Sequence, residues 1–227
     1  MENKVSHRGD RVEVAYSEKE VMLKELFAEK VLSWEGFQLF FRVFKQEEIL
    51  EVWAKSGTSE EFTLVKTYPF CTNTGALGPK RREGDRQIPE GFYKINRFNP
   101  KSSFYLSLGL NYPNVSDLIL GDKVQPGSDI FIHGACVSVG CVSITDDKIK
   151  EVYLLANEAK RYGQKDIEVH CFPMKLKNGA IEKRIAKTPK FKAYEIFWKE
   201  LKVGYDLFES EKQLFKVKIG ANGKYSI

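Results

Sequence analysis

Apolar residues recur along the chain first at helical and then at strand spacing. Between Ser17 and Trp34 the positions Val21, Met22, Leu26, Phe27 and Val31 suit one face of a helix. Ser17, followed by Glu18 and Glu20, offers that helix an N-terminus. The polar residues before Ser17 predict a frayed tail. The pattern then shortens. Gln38–Phe44 and Ile49–Trp53 flank Lys45-Gln46-Glu47-Glu48 as a hairpin, and Phe62–Tyr68 alternates as a third strand.

A turn-rich loop runs from Cys71 to Glu90, and a loop of that length inside a compact domain is usually functional or disordered. Strand character resumes at Gly91-Phe92-Tyr93-Lys94-Ile95. Residues 96–125, rich in Asn, Ser, Tyr and Gly, read as irregular and suited to a cap or substrate wall. Asp129–Ile132 is a further apolar run. Thr145-Asp146-Asp147 caps a helix that reaches Tyr162 and ends at Gly163. Ile167–Phe172 is a last core strand, stopped by Pro173. Beyond it, Phe191, Tyr194, Phe197, Trp198 and Leu201 predict a helix with an aromatic face, and Asn222-Gly223 predicts a terminal hairpin. This order predicts an α+β domain with an antiparallel core.

Composition narrows the classes. With 42% hydrophobic and 13% aromatic residues, the 227-residue chain can bury a substantial core. A net charge of +5 permits an anionic partner, whether nucleic acid, acidic membrane surface or wall polymer, but selects none. No P-loop, Rossmann fingerprint or nucleic-acid module is present, and no apolar run is long enough to span a membrane. Four cysteines are too few for a disulfide-built scaffold. The first ten residues lack a signal-peptide h-region, which fits a cytoplasmic protein or the mature part of an exported one.

The chemistry gathers at Ile132-His133-Gly134-Ala135-Cys136-Val137-Ser138-Val139-Gly140-Cys141. A histidine at a strand exit, followed by a Gly-rich loop and a cysteine ahead of a helix, is the minimal kit for thiol nucleophilic catalysis. On that reading Cys141 would be the nucleophile and His133 the base, and the Gly134 carbonyl could orient the imidazole. Amides around Val139, Gly140 and Cys141 can serve as an oxyanion hole, and Ser138 can stiffen the loop.

On residue types alone, a buried structural cysteine and a satisfied core histidine remain the simpler reading. A zinc site from His133, Cys136, Cys141 and His170 or Cys171 ranks below catalysis, because the spacing lacks paired Cys-x-x-Cys. His7 lies in the tail, and His170 suits a core or surface role. The cations Lys80, Arg81, Arg82 and Arg86 are offset by Glu83 and Asp85 and form an ordinary solvated loop unless that loop borders Cys141. In that case they can bind carboxylates or phosphates.

Ile132-His133-Gly134 followed by Ser138-x-Gly140-Cys141 resembles the active-site signature of the YkuD-type L,D-transpeptidase family. Thr74-Gly75 and Ile88-Pro89-Glu90-Gly91-Phe92 resemble that family's upstream elements. The likeness is strongest to the DpaA (YafK)-like branch, through Leu77-Gly78-Pro79-Lys80, Gly84-Asp85, Phe197-Trp198 and Gly204-Tyr205-Asp206. It implies a mainly antiparallel YkuD-like β-sandwich at 36–175, a tail and packing helix at 1–35, and a helix-plus-hairpin extension at 176–227.

The resemblance also implies a thioacyl-enzyme. Cys141 would attack the carbonyl on the L-centre of meso-diaminopimelate in peptidoglycan stem peptides, with His133 as base and then acid and no cofactor or metal. Lys80, Arg81 and Tyr112 are the substrate-binding candidates. An exported, periplasmic or cell-envelope location follows, where Cys71 and Cys136 could pair. Val139 and Ser143 stand where most of the family has His and Arg. That departure favours hydrolysis, releasing wall-linked protein or peptide, over transpeptidation. A catalytically silent peptidoglycan-binding module is the alternative.

Overall fold

The computed structural model describes residues 11–72 and 75–227. His7 and Thr74, singled out above, lie outside the described residues. The first helix, α1 (Arg11–Glu29), begins well before Ser17. Ser17 is not its cap: its hydroxyl donates to Val14 O at 3.0 Å inside the helix. A tertiary contact holds its first described turn. Arg11 donates to the carbonyls of Ser102, at 2.7 Å, and Tyr105. The buried face is Ala15, Leu23 and Phe27, whereas Val21 and Val31 are exposed.

The strands β1 (Gln38–Phe44), β2 (Ile49–Lys55) and β3 (Thr63–Pro69) form the expected meander, followed by β4 (Gly91–Asn99). Residues 96–125 are more regular than expected. They hold β5 (Ser107–Leu110) and the short α2 (Val115–Leu120). Leu106, Leu108 and Leu110 alternate into the core, a period-two signal that the surrounding Asn and Ser obscure. Next come β6 (Phe131–His133), β7 (Val142–Ser143), α3 (Asp146–Arg161) and β8 (Glu168–Phe172). Thr145 caps α3 as expected, its hydroxyl accepting from Lys148 N at 3.3 Å. The C-terminal part is α4 (Ala180–Lys187), a 3₁₀ turn (Pro189–Tyr194), α5 (Glu195–Glu211) and the hairpin β9 (Lys218–Ile219) and β10 (Tyr225–Ser226).

Eight strands form one sheet in the order β3-β2-β1-β8-β4-β5-β6-β7. It is mainly antiparallel. The pairs β1–β8 and β6–β7 are parallel, because the chain reaches each second strand by a crossover rather than a tight turn. Strand β4 serves both halves: Gly91–Lys94 pairs with β8, and Ile95–Asn99 pairs with β5. A register shift between Ile95 and Arg97 lets the sheet curl at that point.

Strand β1 shows why the sequence reads as a continuous apolar run there. Leu39, Phe41 and Val43 join the core under α1 and α3. Phe40 and Phe44 face the opposite way, onto Phe208 and Tyr205 of α5. A strand buried on both faces loses its alternation. Arg42, also buried, reaches Glu209 at 2.7 Å and lies over the rings of Phe44, Tyr205 and Phe208. Among the described residues no helix is long and apolar enough to cross a membrane.

Candidate active site

His133 ends β6, one of the two short strands beside the curled half of the sheet, and its main chain pairs with Ser107 on β5 and Ser143 on β7. Its ring is buried. The Nδ1 atom is 2.5 Å from the Gly134 carbonyl. A carbonyl can only accept, so Nδ1 carries the proton and Nε2 is left as the basic nitrogen. Gly134 has no room for a side chain: a Cβ would lie 2.6 Å from Asp146 Oδ1 and 2.9 Å from Phe104 O. The loop then turns through Ala135 at a positive φ of 59°, its N–H donating to Asp146 Oδ1 at 2.7 Å. The start of α3 thereby anchors the turn that presents the histidine.

Cys141 closes the same loop. Its sulfur lies 3.4 Å from the Phe131 amide, a donor that favours the thiolate, and 3.7 Å from the Asp129 carbonyl. Ser138 stiffens the loop as expected: its hydroxyl donates to Cys141 O at 2.8 Å and accepts from Cys141 N at 3.0 Å. The Cys141 amide, expected among the oxyanion donors, is therefore occupied in this state. Val139, 70% exposed, sits on the rim. A cavity of about 340 Å³ is lined by Phe104, His133, Val137, Ser138, Val139 and Cys141. Cys141 and His133 thus share one small, mostly apolar space.

The environment sets the charge state. Burial pushes the Cys141 thiol above its ordinary value, against the opposing pull of the Phe131 amide and the Lys80 charge. Burial pushes His133 below the ordinary imidazole value, partly offset by the Gly134 carbonyl. Both shifts favour neutral groups at neutral pH. Burial thus favours thiol and imidazole over thiolate and imidazolium for this pair.

Cys71 and Cys136 form a disulfide, with Cα atoms 5.3 Å apart, tying the segment after β3 to the loop between His133 and Cys141. Cys141 and Cys171 are free. The zinc alternative loses its donors in this arrangement. Cys136 is bonded to Cys71, and His170 lies among Phe40, Phe92 and Phe215 against the C-terminal helices. Cys171, next along β8, is fully buried in the other core.

The three substrate-binding candidates are engaged within the protein. Lys80 is buried, with Nζ 2.7 Å from Asp85 Oδ1, and acts on Cys141 only through its charge. Arg81 reaches Asp117 at 3.2 Å and lies over the Phe197 ring. The Tyr112 hydroxyl donates to Pro126 O at 2.7 Å. None of them lines the cavity beside Cys141. Phe104, by contrast, comes from the segment expected as a substrate wall and stands over His133 with ring centres 4.6 Å apart. Sequence reasoning did not single out Phe104, Val137, the Phe131 amide or Asp146. Only Asp146 left a readable signal, as part of the helix cap.

A family model described as the L,D-transpeptidase catalytic domain, YkuD, matches residues 41–166. YafK of Escherichia coli strain K12, an L,D-transpeptidase by name, is 33% identical over 194 residues, which is 85% of this chain and 74% of YafK. The chain belongs to the YkuD L,D-transpeptidase family.

The YafK of Escherichia coli O157:H7 matches to the same extent. Among solved structures, the helical cell shape determining protein Pgp2 of Campylobacter jejuni is similar with TM-score 0.48 and 17% identity, over 89% of this chain and 80% of that one. A variant of Pgp2 matches with TM-score 0.48 and 21% identity over 70% of this chain, which spans 56% of the variant's length. Bd1075 of Bdellovibrio bacteriovorus gives TM-score 0.45 and 23% identity over 69% of this chain and 56% of that one. Membership makes this YkuD chain an L,D-transpeptidase-family enzyme of peptidoglycan chemistry and suggests a cell-envelope setting. Of the two positions expected to depart from the family pattern, Val139 is exposed on the cavity rim. Ser143 is buried, its hydroxyl donating to Thr72 O at 3.0 Å.

Proposed function

We propose that the protein is a periplasmic cysteine hydrolase of peptidoglycan stem peptides, with Cys141 as nucleophile and His133 as general base and acid. The observation that carries this reading is the shared cavity: Cys141 and His133 line one space of about 340 Å³, and the imidazole is held with Nε2 basic. The Sγ–H proton passes to Nε2 as sulfur bonds to the carbonyl carbon on the L-centre of meso-diaminopimelate. The C–N bond then breaks, and imidazolium protonates the departing amine, leaving a thioester. Water, losing a proton to His133, attacks the thioester and releases a carboxylic acid and the free thiol. Wall-linked protein or peptide is the leaving group under this reading.

The Val139 amide is a proposed oxyanion donor, because Ser138 already occupies that of Cys141. The Cys71–Cys136 disulfide is consistent with an oxidising compartment. Mass spectrometry of products from purified sacculi, both crosslinked and protein-bearing, tests the reading. Wild type is expected to release products with new carboxyl ends, while Cys141→Ala releases none. An unchanged digest with folded wild-type protein would refute it. Newly formed crosslinks in place of carboxyl ends would select transpeptidation.

A further inference from the structure

We propose that Asp146 is a positioning residue for the reaction, its carboxylate acting on His133 through the Gly134–Ala135 peptide. It holds the imidazole in place and makes Nε2 a stronger base. This rests on the reading of His133 as the base, and it adds to the pair a carboxylate that does not line the cavity.

One peptide unit carries both contacts. Its carbonyl, on Gly134, accepts from His133 Nδ1, and its N–H, on Ala135, donates to Asp146 Oδ1 at 2.7 Å. Hydrogen bonds that share a peptide polarise one another, so a carboxylate at the N–H drives electron density onto the carbonyl oxygen. That oxygen then accepts more strongly from Nδ1–H, and most strongly once the ring is imidazolium. A carboxylate bonded directly to Nδ1–H orients the ring and stabilises the imidazolium in a Ser-His-Asp triad. Here a peptide stands between carboxylate and ring.

The surrounding structure keeps this peptide in place. Ala135 holds a positive φ of 59°, which residues with a side chain adopt rarely, and the N–H so turned meets Asp146. Gly134 is wedged: a Cβ there would lie 2.6 Å from Asp146 Oδ1, 2.9 Å from Ile149 Cγ2 and 2.9 Å from Phe104 O. Gly134 N donates to Leu106 O at 3.2 Å, and Ile144 N donates to His133 O at 2.9 Å. The charged groups nearby are engaged elsewhere: Lys150 pairs with Glu18, Arg11 bonds the carbonyls of Ser102 and Tyr105, and the Lys80 charge bears on Cys141. Of the two acids in the first turn of α3, Asp147 pairs with Lys19 at 2.7 Å, whereas Asp146 meets the amide. Any acid at a helix N-terminus is favourable, so Asp147 serves as the control for that simpler role.

Ring nitrogen chemical shifts of His133, followed by NMR against pH in Cys141→Ala protein, test the proposal without turnover. Asp146→Asn keeps the shape and an acceptor for Ala135 but loses the charge. It is expected to lower the His133 titration by about half a pH unit or more, the scale of exchanging a charged for a neutral acceptor. Asp146→Ala is expected to lower it at least as far, Asp146→Glu to restore part of it, and Asp147→Asn to leave it nearly unmoved. With Cys141 present, Asp146→Asn is expected to cut kcat on stem peptides about threefold or more at a KM near wild type. The acid limb of kcat/KM is expected to move to lower pH, because a weaker base stays unprotonated further down. A His133 titration unmoved by Asp146→Asn, or moved equally by Asp147→Asn, overturns the proposal even if sacculi are digested. Sacculi left intact by wild type, with the Asp146-dependent titration present, would refute only the hydrolase reading.

Discussion

The indole N–H of Trp198 on α5 donates to Glu90 Oε2 at 2.8 Å, and both groups are buried. The other oxygen of Glu90 accepts from Lys45 Nζ at 3.0 Å and from the Gly78 amide at 2.7 Å. One carboxylate therefore joins the end of β1, the Gly78 turn, the Pro-Glu-Gly element and the C-terminal helix. Removing it leaves the Lys45 ammonium buried without its counter-ion.

Glu90→Gln is expected to destabilise the protein by about 3–5 kcal/mol, the usual cost of orphaning a buried charge. Trp198→Phe, which removes the N–H and also shrinks the buried ring, is expected to cost about 1–3 kcal/mol for the unpaired carboxylate oxygen, with a cavity cost added to it. Urea melts followed by circular dichroism measure both. A loss below about 1 kcal/mol for Glu90→Gln would show that the junction does not hold the layers together.

The shifts at Cys141 and His133 set a pH signature. Burial lowers the imidazole value, so the folded protein keeps His133 neutral somewhat below about 6.5, the ordinary value. The acid limb of kcat/KM is expected below that pH. The unfolded chain binds this proton at about 6.5 and the native state only lower, so the group's contribution to stability falls as pH drops below about 6.5. The raised thiol predicts that iodoacetamide labelling of Cys141 keeps rising through and beyond about 8.5, the free-thiol value. A labelling plateau below pH 7 would mean a preformed thiolate.

Labelling of native protein without reductant should modify Cys141 and spare Cys71, Cys136 and buried Cys171, as read by peptide mass mapping. The disulfide closes a loop of 65 residues in sequence separation. The chain-entropy relation puts its loss at about 4 kcal/mol. Cys71→Ser with Cys136→Ser is expected to lower the melting temperature and to reduce turnover by loosening the loop between His133 and Cys141. Full activity at unchanged stability would sever the disulfide from the site.

Gly134→Ala is expected to cut kcat at least tenfold while costing about 1–3 kcal/mol, the usual range for overpacking. Its Cβ would meet Asp146 Oδ1 at 2.6 Å, moving the carbonyl that holds His133 Nδ1. Parallel kinetics and melts separate the two effects.

Local chemistry decided much of this protein. Apolar runs drew β1 and β2 and alternation drew β3, Thr145 and Gly163 marked the ends of α3, and Asn222-Gly223 marked the last hairpin, because each signal acts between residues a few positions apart. His133, Gly134, Ser138 and Cys141 were also legible, being confined to one loop.

What the tertiary structure alone decided involves distant partners. Ser17 looks like a cap, yet it lies inside a helix whose first described residue, Arg11, is held by Ser102 and Tyr105. Lys80 looks like a free cation, yet Asp85 encloses it. Phe104 reaches His133 across a segment without clear periodicity. Arg86 comes to lie against Gly140 through a glycine contact that leaves no trace in composition. Spacing along the chain reports which groups can cooperate locally. Which groups come together around Cys141 depends on contacts that form only when the sheet curls and the loops close over it.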